Sequence, residues 1–235
     1  MEINGARVLV VGASGVIGGL LAEGLTHRGA TVALAGRDRA RLMEAAGRCG
    51  SAHVRTFDAC DGDACARLPK WAADELGGLD AVVAAMGVVA FGRAEEVDDA
   101  VAEYLMTVNA LAPAGIIRAA LPLLGEGGAV VAVTGVVAER PQAGMADYSA
   151  AKAAMAAWLG ALRRENRRGP VVLEARLAHL DTGFTGRPVV GSAPALPPGG
   201  DLGRAAATVL EAIASGAALV RPGPDGTLVM EPRIR

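Results

Sequence analysis

The sequence is poor in aromatic residues and in lysine. Aromatic side chains make up 3% of the 235 residues, and the only tyrosines are Tyr104 and Tyr148. Of 23 lysine and arginine residues, only Lys70 and Lys152 are lysines. A core with so few rings must use small aliphatic residues, which suits helices packed closely on a parallel sheet. One of the two lysines nevertheless follows one of the two tyrosines by four residues, in the segment YSAAK.

A charge excess and a paired cysteine framework are also lacking. The formal net charge is −2 and the pI is near 6.0, so a basic face for nucleic acid is not expected. The three cysteines are odd in number and form no C-x-x-C pair, which favours a reducing compartment. They show no metal-ligand spacing with the three histidines, and we expect no metal.

Membrane and export signals are not evident either. The N-terminus MEINGARVLVVGASG has no charged region followed by a long apolar core, and no apolar run reaches about 18 residues. We therefore expect a soluble cytoplasmic protein without a membrane partner. The bias toward arginine, alanine and glycine favours a bacterial source.

Short apolar segments alternate with longer helical patterns along the whole chain. The predicted strands are 6–12, 30–36, 52–58, 80–87, 128–135, 171–178 and 226–230, and the predicted helices are 15–28, 38–48, 62–76, 98–124, 147–167 and 201–215. This alternation predicts one α/β domain over residues 1–235, with a doubly wound parallel sheet of about seven strands and helices on both faces.

One long segment, 183–200, is rich in glycine and proline and has no strand or helix pattern. A loop of that length in a compact domain is either a functional lid or disordered. We favour a substrate lid, because the segment follows a strand end on the side where such sheets bind ligands.

Three glycines, Gly12, Gly15 and Gly18, lie between the first strand and the first helix. Residues without a Cβ allow a tight turn and let a pyrophosphate approach the N–H groups at the helix N-terminus. Their spacing differs from the common G-x-G-x-x-G fingerprint, and a turn without a ligand is the alternative. The position favours a dinucleotide phosphate site.

The end of the second strand indicates which dinucleotide is bound. A carboxylate there bonds the ribose 2′-hydroxyl of NAD, whereas an arginine accommodates the 2′-phosphate of NADP. This chain has Arg37 at that position, followed by Asp38. Arg37 favours NADP, with NAD possible; the alternative is a solvated charge at the start of the second helix.

Tyr148 and Lys152 are four residues apart, which places them on one face of the predicted helix. A phenol has a pKa of about 10, and a neighbouring ammonium lowers it. Such a pair can exchange a proton with a carbonyl or alcohol oxygen. The alternative is a surface pair without a role, which a neighbouring nucleotide loop disfavours.

With the glycine loop and YSAAK together, the chain resembles the short-chain dehydrogenase/reductase family over essentially its whole length. The resemblance implies a Rossmann-type domain in which Tyr148 is the general acid/base and Lys152 holds the ribose hydroxyls of the nicotinamide nucleotide. It also implies that Asn109 takes part in proton relay. The cofactor-binding positions that it implies are Gly12, Ser14, Gly15, Val16, Ile17, Gly18, Arg37, Asp58, Ala59, Gly87, Lys152, Leu180 and Thr182.

The chain departs from the family pattern at three places. The family's Asn-Asn-Ala-Gly run reads AAMG at 84–87, and its Pro-Gly reads Leu177-Ala178. Its catalytic serine, thirteen residues before the tyrosine, is Gly135 here. Thr134 is the nearest hydroxyl and we expect it to serve as the substitute if the strand has ended or bulged there. Other candidate donors are Arg140, Gln142 and His179.

Two functions follow from these observations. The first is an NADPH-preferring oxidoreductase that acts on a carbonyl or secondary alcohol. The second is a dinucleotide-binding sensor or assembly protein that has lost efficient turnover, which the missing serine favours and the retained Tyr148 disfavours. Methyl transfer from a sulfonium nucleotide leaves the Tyr–Lys pair unexplained. The helices near 98–124 and 147–167 are apolar on most faces, and we expect them to form a homodimer or homotetramer.

Overall fold

The computed structural model describes residues 1–51, 53–125 and 127–233, and in that part of the chain a single sheet forms the centre of the fold. Its eight strands have the order β3-β2-β1-β4-β5-β6-β7-β8. The strands are β1 Arg7–Val11, β2 Thr31–Gly36, β3 Val54–Thr56, β4 Ala81–Ala84, β5 Ala129–Val133, β6 Val171–Ala175, β7 Ala217–Pro222 and β8 Leu228–Pro232. All neighbouring strands pair in parallel except β8, which is antiparallel to β7.

Helices connect successive parallel strands. They are α1 Val16–Thr26, α2 Arg39–Cys49, α3 Gly62–Leu76, α4 Asp99–Met106, α5 Ala112–Ala120, α6 Ala146–Glu165 and α7 Leu202–Ser215. The side chains of Asp38, Asp61 and Asp201 cap α2, α3 and α7 by accepting a backbone N–H from the first turn. These caps fix where the three helices begin. Each helix begins within one residue of its predicted start.

Both faces of the sheet are covered. In β1, Val8 and Val10 pack with one hydrophobic cluster, and Leu9 and Val11 pack with the other. The first cluster includes residues of α1, α2 and α7, and the second includes residues of α3, α5 and α6. Since successive strand residues point to opposite faces, the continuous apolar runs in the sequence follow from this double coverage. The doubly wound α/β fold is confirmed.

The structure differs from the predicted elements at several places; for example, β4 and β6 each end three residues before the predicted end. β7 was missed, because its residues include two alanines and a proline and only one β-branched side chain, Val220. The strand expected at 226–230 is the antiparallel edge strand β8, so the sheet has eight strands rather than seven. β5 ends at Val133, two residues before the predicted end. Part of the strand expected at 52–58 lies outside the described residues.

The helix expected over 98–124 is divided. A π-helical turn, Thr107–Leu111, separates α4 from α5. The whole helical run Asp99–Leu123 has 25 residues and a mean hydropathy of 1.4 in its most apolar window, so its length and composition would suffice to cross a membrane. Half of that window is buried inside the domain. Counting uninterrupted apolar residues did not detect this run because charged residues such as Glu103 and Arg118 interrupt it.

The strand order reverses at β1: β2 and β3 follow on one side of it, and β4 begins the series on the other side. In open α/β sheets, ligands bind in the crevice outside the carboxyl ends of the strands at such a switch point. The residues that follow β1, β2, β4 and β5 are Gly12, Arg37, Ala85 and Thr134. The fold therefore brings the glycine loop, Arg37 and the altered motifs of the sequence to one edge.

Candidate active site

The turn from β1 to α1 depends on glycine at two points. Gly12 has φ +85°, and a Cβ there would lie 2.7 Å from the carbonyl carbon of Ala85 on the neighbouring strand end. A Cβ on Gly18 would lie 2.3 Å from the carbonyl oxygen of Gly12. Gly15 donates its N–H to the Gly12 carbonyl at 2.9 Å and is the N-cap residue of α1. The glycines thus let the turn press against β4 and let α1 press against the turn.

The N-terminus of α1 fits an anionic group. Within the described chain, no side chain caps this helix, and its first turn contains no acidic residue. The first N–H groups of a helix have no partner inside the helix, and the helix dipole favours negative charge there. Ser14 precedes this helix end, and Val16 and Ile17 are the first helical residues. The chemistry of this turn suits a pyrophosphate.

Arg37 follows β2 and is exposed at the same edge. Its Nη1 lies 3.4 Å from the hydroxyl oxygen of Tyr104 on α4. The adjacent Asp38 carboxylate accepts the N–H of Arg41 at 3.1 Å and so caps α2. The Ser14 hydroxyl also lies near this strand end, 2.8 Å from where a Cβ on Gly36 would be. Arg37 therefore contacts one hydroxyl group, that of Tyr104, and the neighbouring Asp38 carboxylate is engaged by the Arg41 N–H.

Asp58 and Ala59 follow β3 on the far side of β2. The Asp58 carboxylate accepts the N–H of Cys60 at 2.9 Å, which shapes a short turn. Ala59 packs against the hydrophobic cluster that contains Val88 and Leu105. The loop after β3 is thus held against the segment after β4, on the same edge as Arg37.

Tyr148 and Lys152 lie side by side on α6. The Lys152 Nζ is 5.9 Å from the centre of the Tyr148 ring. Lys152 is only 4% exposed and donates a hydrogen bond to the carbonyl oxygen of Val133 at 3.2 Å. The last residue of β5 therefore anchors the ammonium, and the helix geometry places the phenol beside it.

Burial controls the ionisation of both groups. Desolvation lowers the pKa of Lys152 to about 8, and it raises the pKa of Tyr148 above its usual value. The sequence led us to expect a lowered pKa for the Tyr148 phenol, whereas burial in the folded domain raises it. The difference arises because a phenolate would lose its hydration on burial. This cost outweighs the electrostatic stabilisation by an ammonium 5.9 Å from the ring centre. Near pH 7 the pair therefore consists of a neutral phenol and a charged ammonium.

Asn109 lies in the π-helical turn and is 1% exposed. Its Nδ2 donates to the carbonyl oxygens of Val88 and Leu105, both at 2.9 Å, and its Oδ1 accepts the Val88 N–H at 3.2 Å. A Cβ on Gly87 would lie 2.9 Å from Asn109 Oδ1 and 3.4 Å from Lys152 Nζ. Gly87 therefore lets the Asn109 amide and the Lys152 ammonium approach the same point.

Thr134 does not supply the missing serine hydroxyl. Its Oγ1 donates to the Glu174 carboxylate at 2.7 Å, and both residues are buried. A threonine hydroxyl has a single hydrogen, so this bond leaves none for a substrate oxygen. The expectation required the chain to bulge at this point. Instead, the N–H groups of Thr134 and Val136 continue the alternating bonds to the neighbouring segment, so Thr134 keeps the orientation of an extended strand.

Gly135 has an extended backbone with φ −173° and ψ 160°. A Cβ at this position would meet no heavy atom closer than 3.7 Å. Two of the other candidate donors have partners nearby: the Gln142 amide donates to the Arg140 carbonyl at 3.1 Å, and His179 Nε2 lies 3.3 Å from an Asp181 carboxylate oxygen. The position of the family's serine thus has room for a side chain and carries none.

Leu180 and Thr182 begin the segment that leads into 183–200. Leu180 pairs with Gly200 in an isolated bridge, which closes the segment into a loop. Thr182 donates its N–H to the Leu180 carbonyl at 2.8 Å. Farther along, the Val189 N–H donates to the Val89 carbonyl at 2.8 Å. The loop therefore lies against the residues that follow β4 and covers this part of the edge.

Two features of the site were not found from the sequence. Phe184 packs on Tyr148, with ring centres 6.3 Å apart and planes inclined at 46°. Glu174 is fully buried and binds Thr134, Arg163 and Arg176. A signal for the second was present in the sequence, since Glu174 is the only charged residue in the apolar strand VVLEA. No local pattern indicated the first, because the two rings are 36 residues apart.

Comparison with known proteins agrees with this architecture. Residues 6–177 match the sequence profile of the short chain dehydrogenase family. A hydroxysteroid 11-beta-dehydrogenase 1-like protein from Macaca fascicularis is 34% identical over 171 residues, which are 70% of this chain and 59% of that protein. The chain thus spans less than two thirds of that relative's length. An uncharacterized oxidoreductase from Methylorubrum extorquens is 32% identical, over 70% of this chain and 68% of its own.

Solved structures show the same likeness over more of the chain. A short chain dehydrogenase from Burkholderia cenocepacia in complex with NADP superposes with a TM-score of 0.82, at 28% identity, over 91% of this chain and 92% of that one. An alcohol dehydrogenase from Thermococcus sibiricus complexed with 5-hydroxy-NADP has a TM-score of 0.77 at 25% identity, with 87% and 88% covered.

The fold and the site define a Rossmann-type domain with a glycine-rich turn after the first strand and a tyrosine–lysine pair. This chain belongs to the short-chain dehydrogenase family, whose members are oxidoreductases that use a nicotinamide cofactor.

Proposed function

We propose that this protein is an NADPH-dependent reductase of carbonyl compounds, with Tyr148 as the proton donor. The observation that carries the proposal is the placement of the Tyr148–Lys152 pair beside Gly87 and Asn109, at the strand edge that also carries the glycine turn. A protein that only binds a dinucleotide has a use for the ammonium but little use for the phenol.

The neutral phenol suits the proposed direction. When bound, the nicotinamide supplies a hydride. The carbonyl carbon takes the hydride, the π electron pair moves to the oxygen, and that oxygen takes the proton of the Tyr148 hydroxyl. The positive charge of Lys152 stabilises the phenolate that remains, and a proton from solvent restores the phenol. The products are an alcohol, which is secondary when the substrate is a ketone, and the oxidised cofactor.

Other residues would hold the cofactor. We assign the pyrophosphate to the turn and helix start at Gly12, Ser14, Gly15, Val16, Ile17 and Gly18, and further contacts to Asp58, Ala59, Gly87, Leu180 and Thr182. Lys152 would bond the ribose hydroxyls, and Asn109 would link that lysine to solvent. Arg37 would meet the 2′-phosphate of NADP. Its position after β2 supports this assignment, as does the Asp38 carboxylate, which is engaged by the Arg41 N–H.

The remaining expectations also stand as proposals. Residues 183–200 would form a substrate lid, because they cover Tyr148 and the segment after β4.

The protein would act in the cytoplasm as a homodimer or homotetramer through α4, α5 and α6. The 62% exposure of Leu111 next to α5 supports this surface as an interface. Light scattering at micromolar concentration tests the assembly, and a monomer would contradict it.

One observation favours the alternative of a dinucleotide sensor. Gly135 offers no hydroxyl for the substrate oxygen, and Thr134 is bound to Glu174. Losing such a donor costs about 10²- to 10³-fold in turnover when nothing replaces it. This reading accounts for slow chemistry but leaves the retained phenol unexplained.

Titration with NADPH and NADH, followed by a panel of carbonyl compounds, separates the two functions. The reductase proposal predicts tighter binding of NADPH than of NADH and oxidation of bound NADPH by a ketone or aldehyde. Tight binding without turnover on any carbonyl compound would support the sensor. Binding of neither nucleotide would contradict both.

A further inference from the structure

The surface beside the Tyr148 ring is apolar. Tyr148 and Phe184 both pack against a buried cluster that consists of Val89, Phe91 and Met145. These three residues are between 1% and 8% exposed. The three cluster residues and Phe184 therefore present only hydrocarbon and thioether side chains beside the tyrosine.

Two backbone polar groups of this cluster are already engaged within the protein. The Val89 carbonyl accepts the Val189 N–H at 2.8 Å, and the Phe91 N–H donates to the Val190 carbonyl at 3.0 Å. A polar or charged group placed here would lose its hydration and gain no hydrogen bond from these atoms. The surface thus disfavours carboxylate and phosphate substituents.

Phe184 shows what the surface accepts. Its Cζ lies 4.0 Å from where a Cβ on Gly87 would be, and the same point is 3.4 Å from the Lys152 ammonium. The ring therefore reaches from the apolar cluster to the acid–base groups. Phe184 lies in the irregular segment after Thr182 and is only half-buried. A ring of that size, carried by a loop rather than by a strand or helix, can give way to another ring.

Gly135 extends the space on the side of β5. A Cβ there would make only ordinary van der Waals contacts, at 3.7 Å to Leu177 and Val137, and the glycine leaves out the side chain that the family's serine would place here. A substrate with a bulky substituent on the carbonyl carbon therefore meets less steric hindrance than it would beside a serine.

We infer that the surface formed by Val89, Phe91 and Met145 beside Tyr148 binds an apolar ring of the substrate, in the place that Phe184 occupies in this structure. The substrate class is an uncharged ketone with an aromatic or alicyclic ring on its carbonyl carbon. The inference rests on the proposed reductase function, and it adds what that function leaves open, the nature of the group next to the carbonyl.

A matched set of ketones tests the inference. Acetophenone carries the ring, para-acetylbenzoate carries the same ring with a carboxylate, and propanone lacks the ring. We expect kcat/KM for acetophenone to exceed that for each of the other two by about tenfold or more. Benzamide, which has the ring but is not reduced, should change the fluorescence of protein-bound NADPH at concentrations where acetamide does not.

A substitution in the surface separates binding from folding. Met145→Gln replaces a thioether by an amide of similar length, and Met145→Leu keeps the surface apolar. We expect Met145→Gln to lower the acetophenone-to-propanone ratio of kcat/KM about tenfold, whereas Met145→Leu preserves it. Damage to the position of Tyr148 alone would lower both values equally and leave the ratio unchanged.

The outcomes distinguish this inference from the proposed function. If NADPH binds and ketones are reduced, but propanone or para-acetylbenzoate is preferred or the ratio ignores Met145→Gln, the inference is wrong and the reductase stands. If NADPH does not bind, or no ketone is reduced, the proposed function fails and the inference falls with it.

Discussion

The Thr134 hydroxyl donates to the Glu174 carboxylate across 2.7 Å in the interior of the domain. Thr134 is the residue before Gly135, so the only hydroxyl side chain at the end of β5 is directed into the protein. Arg176 and Arg163 bind the same carboxylate at 3.0 and 3.3 Å. This contact gives Thr134 a structural role and leaves the serine position without a donor.

Gly135→Ser should raise turnover. The extended backbone accepts any residue, and the nearest contacts of a Cβ are 3.7 Å away. A new hydroxyl near the developing oxyanion is expected to increase kcat by roughly ten- to a hundredfold, somewhat less than the loss seen when an optimised donor is removed. Steady-state kinetics with NADPH and the best ketone measure the change.

Gly135→Ala is the matched control for that substitution. It adds the Cβ without the hydroxyl and should leave kcat near the starting value. An equal increase in both variants would show that backbone stiffening, not a hydrogen bond, is responsible. No increase with serine would mean that another group already stabilises the oxygen.

Glu174→Ala should destabilise the fold strongly. The substitution leaves Arg163 and Arg176 partly buried without their carboxylate, and breaking a buried ion pair costs about 3–5 kcal/mol. Thr134→Val removes only one hydrogen bond to that carboxylate and should cost about 1 kcal/mol or more. Urea unfolding of the two variants beside the wild type measures both free energies.

The same carboxylate should make the protein acid-labile. Burial acts to raise the pKa of Glu174, but hydrogen bonds from Arg176 and Thr134 and the charges of both arginines bring it below its usual 4.5. A group with a lowered pKa in the folded state contributes stability above its unfolded pKa and loses it as pH falls through the folded pKa. The free energy of unfolding should therefore decline below about pH 4.5, and the decline should be shallower in Glu174→Gln.

Arg37→Gln should weaken NADPH binding selectively. Removing a charge that meets the 2′-phosphate is expected to cost about tenfold or more in NADPH affinity and little in NADH affinity. Tyr104→Phe should have a smaller effect in the same direction, since it removes only the hydroxyl 3.4 Å from the guanidinium. Nicotinamide fluorescence titrations of the wild type and both variants with NADPH and NADH give the six dissociation constants. Equal losses for both nucleotides would refute the assignment of Arg37 as the selector.

NADPH affinity should fall as pH rises through about 8. Burial lowers the pKa of Lys152 to that value, so the free protein loses the ammonium there. Binding that requires the charged form is constant below this pH and declines above it. Lys152→Met, which is neutral at every pH, should bind weakly and show no such step. An identical step in the variant would assign the titration to another group.

The central sheet could be predicted because both of its faces are covered. Coverage forces nearly continuous apolar runs in strands such as β2 and β4, and aspartate caps mark several helix starts. The glycine turn was predictable for a similar reason, since Gly12 and Gly18 each lack space for a Cβ. β7 was not predictable, because its alanines have no strand preference and the sheet edge alone makes them extended.

The side-chain directions in the site could not be predicted in the same way. Whether Thr134 faces the substrate or Glu174 depends on the continuation of the ladder past Val133, which is a long-range property. The packing of Phe184 on Tyr148 likewise joins an irregular loop to a helix. Sequence spacing identified the Tyr148–Lys152 pair, but burial determines the direction of both pKa shifts, and burial is set by the whole fold.

The most direct test of the central claim compares Tyr148→Phe with the wild type for NADPH affinity and for ketone reduction. The account predicts that turnover falls by about 10²- to 10⁴-fold, because the proton donor is lost, while the NADPH dissociation constant changes little. Unchanged turnover would contradict the assignment of Tyr148 as the acid.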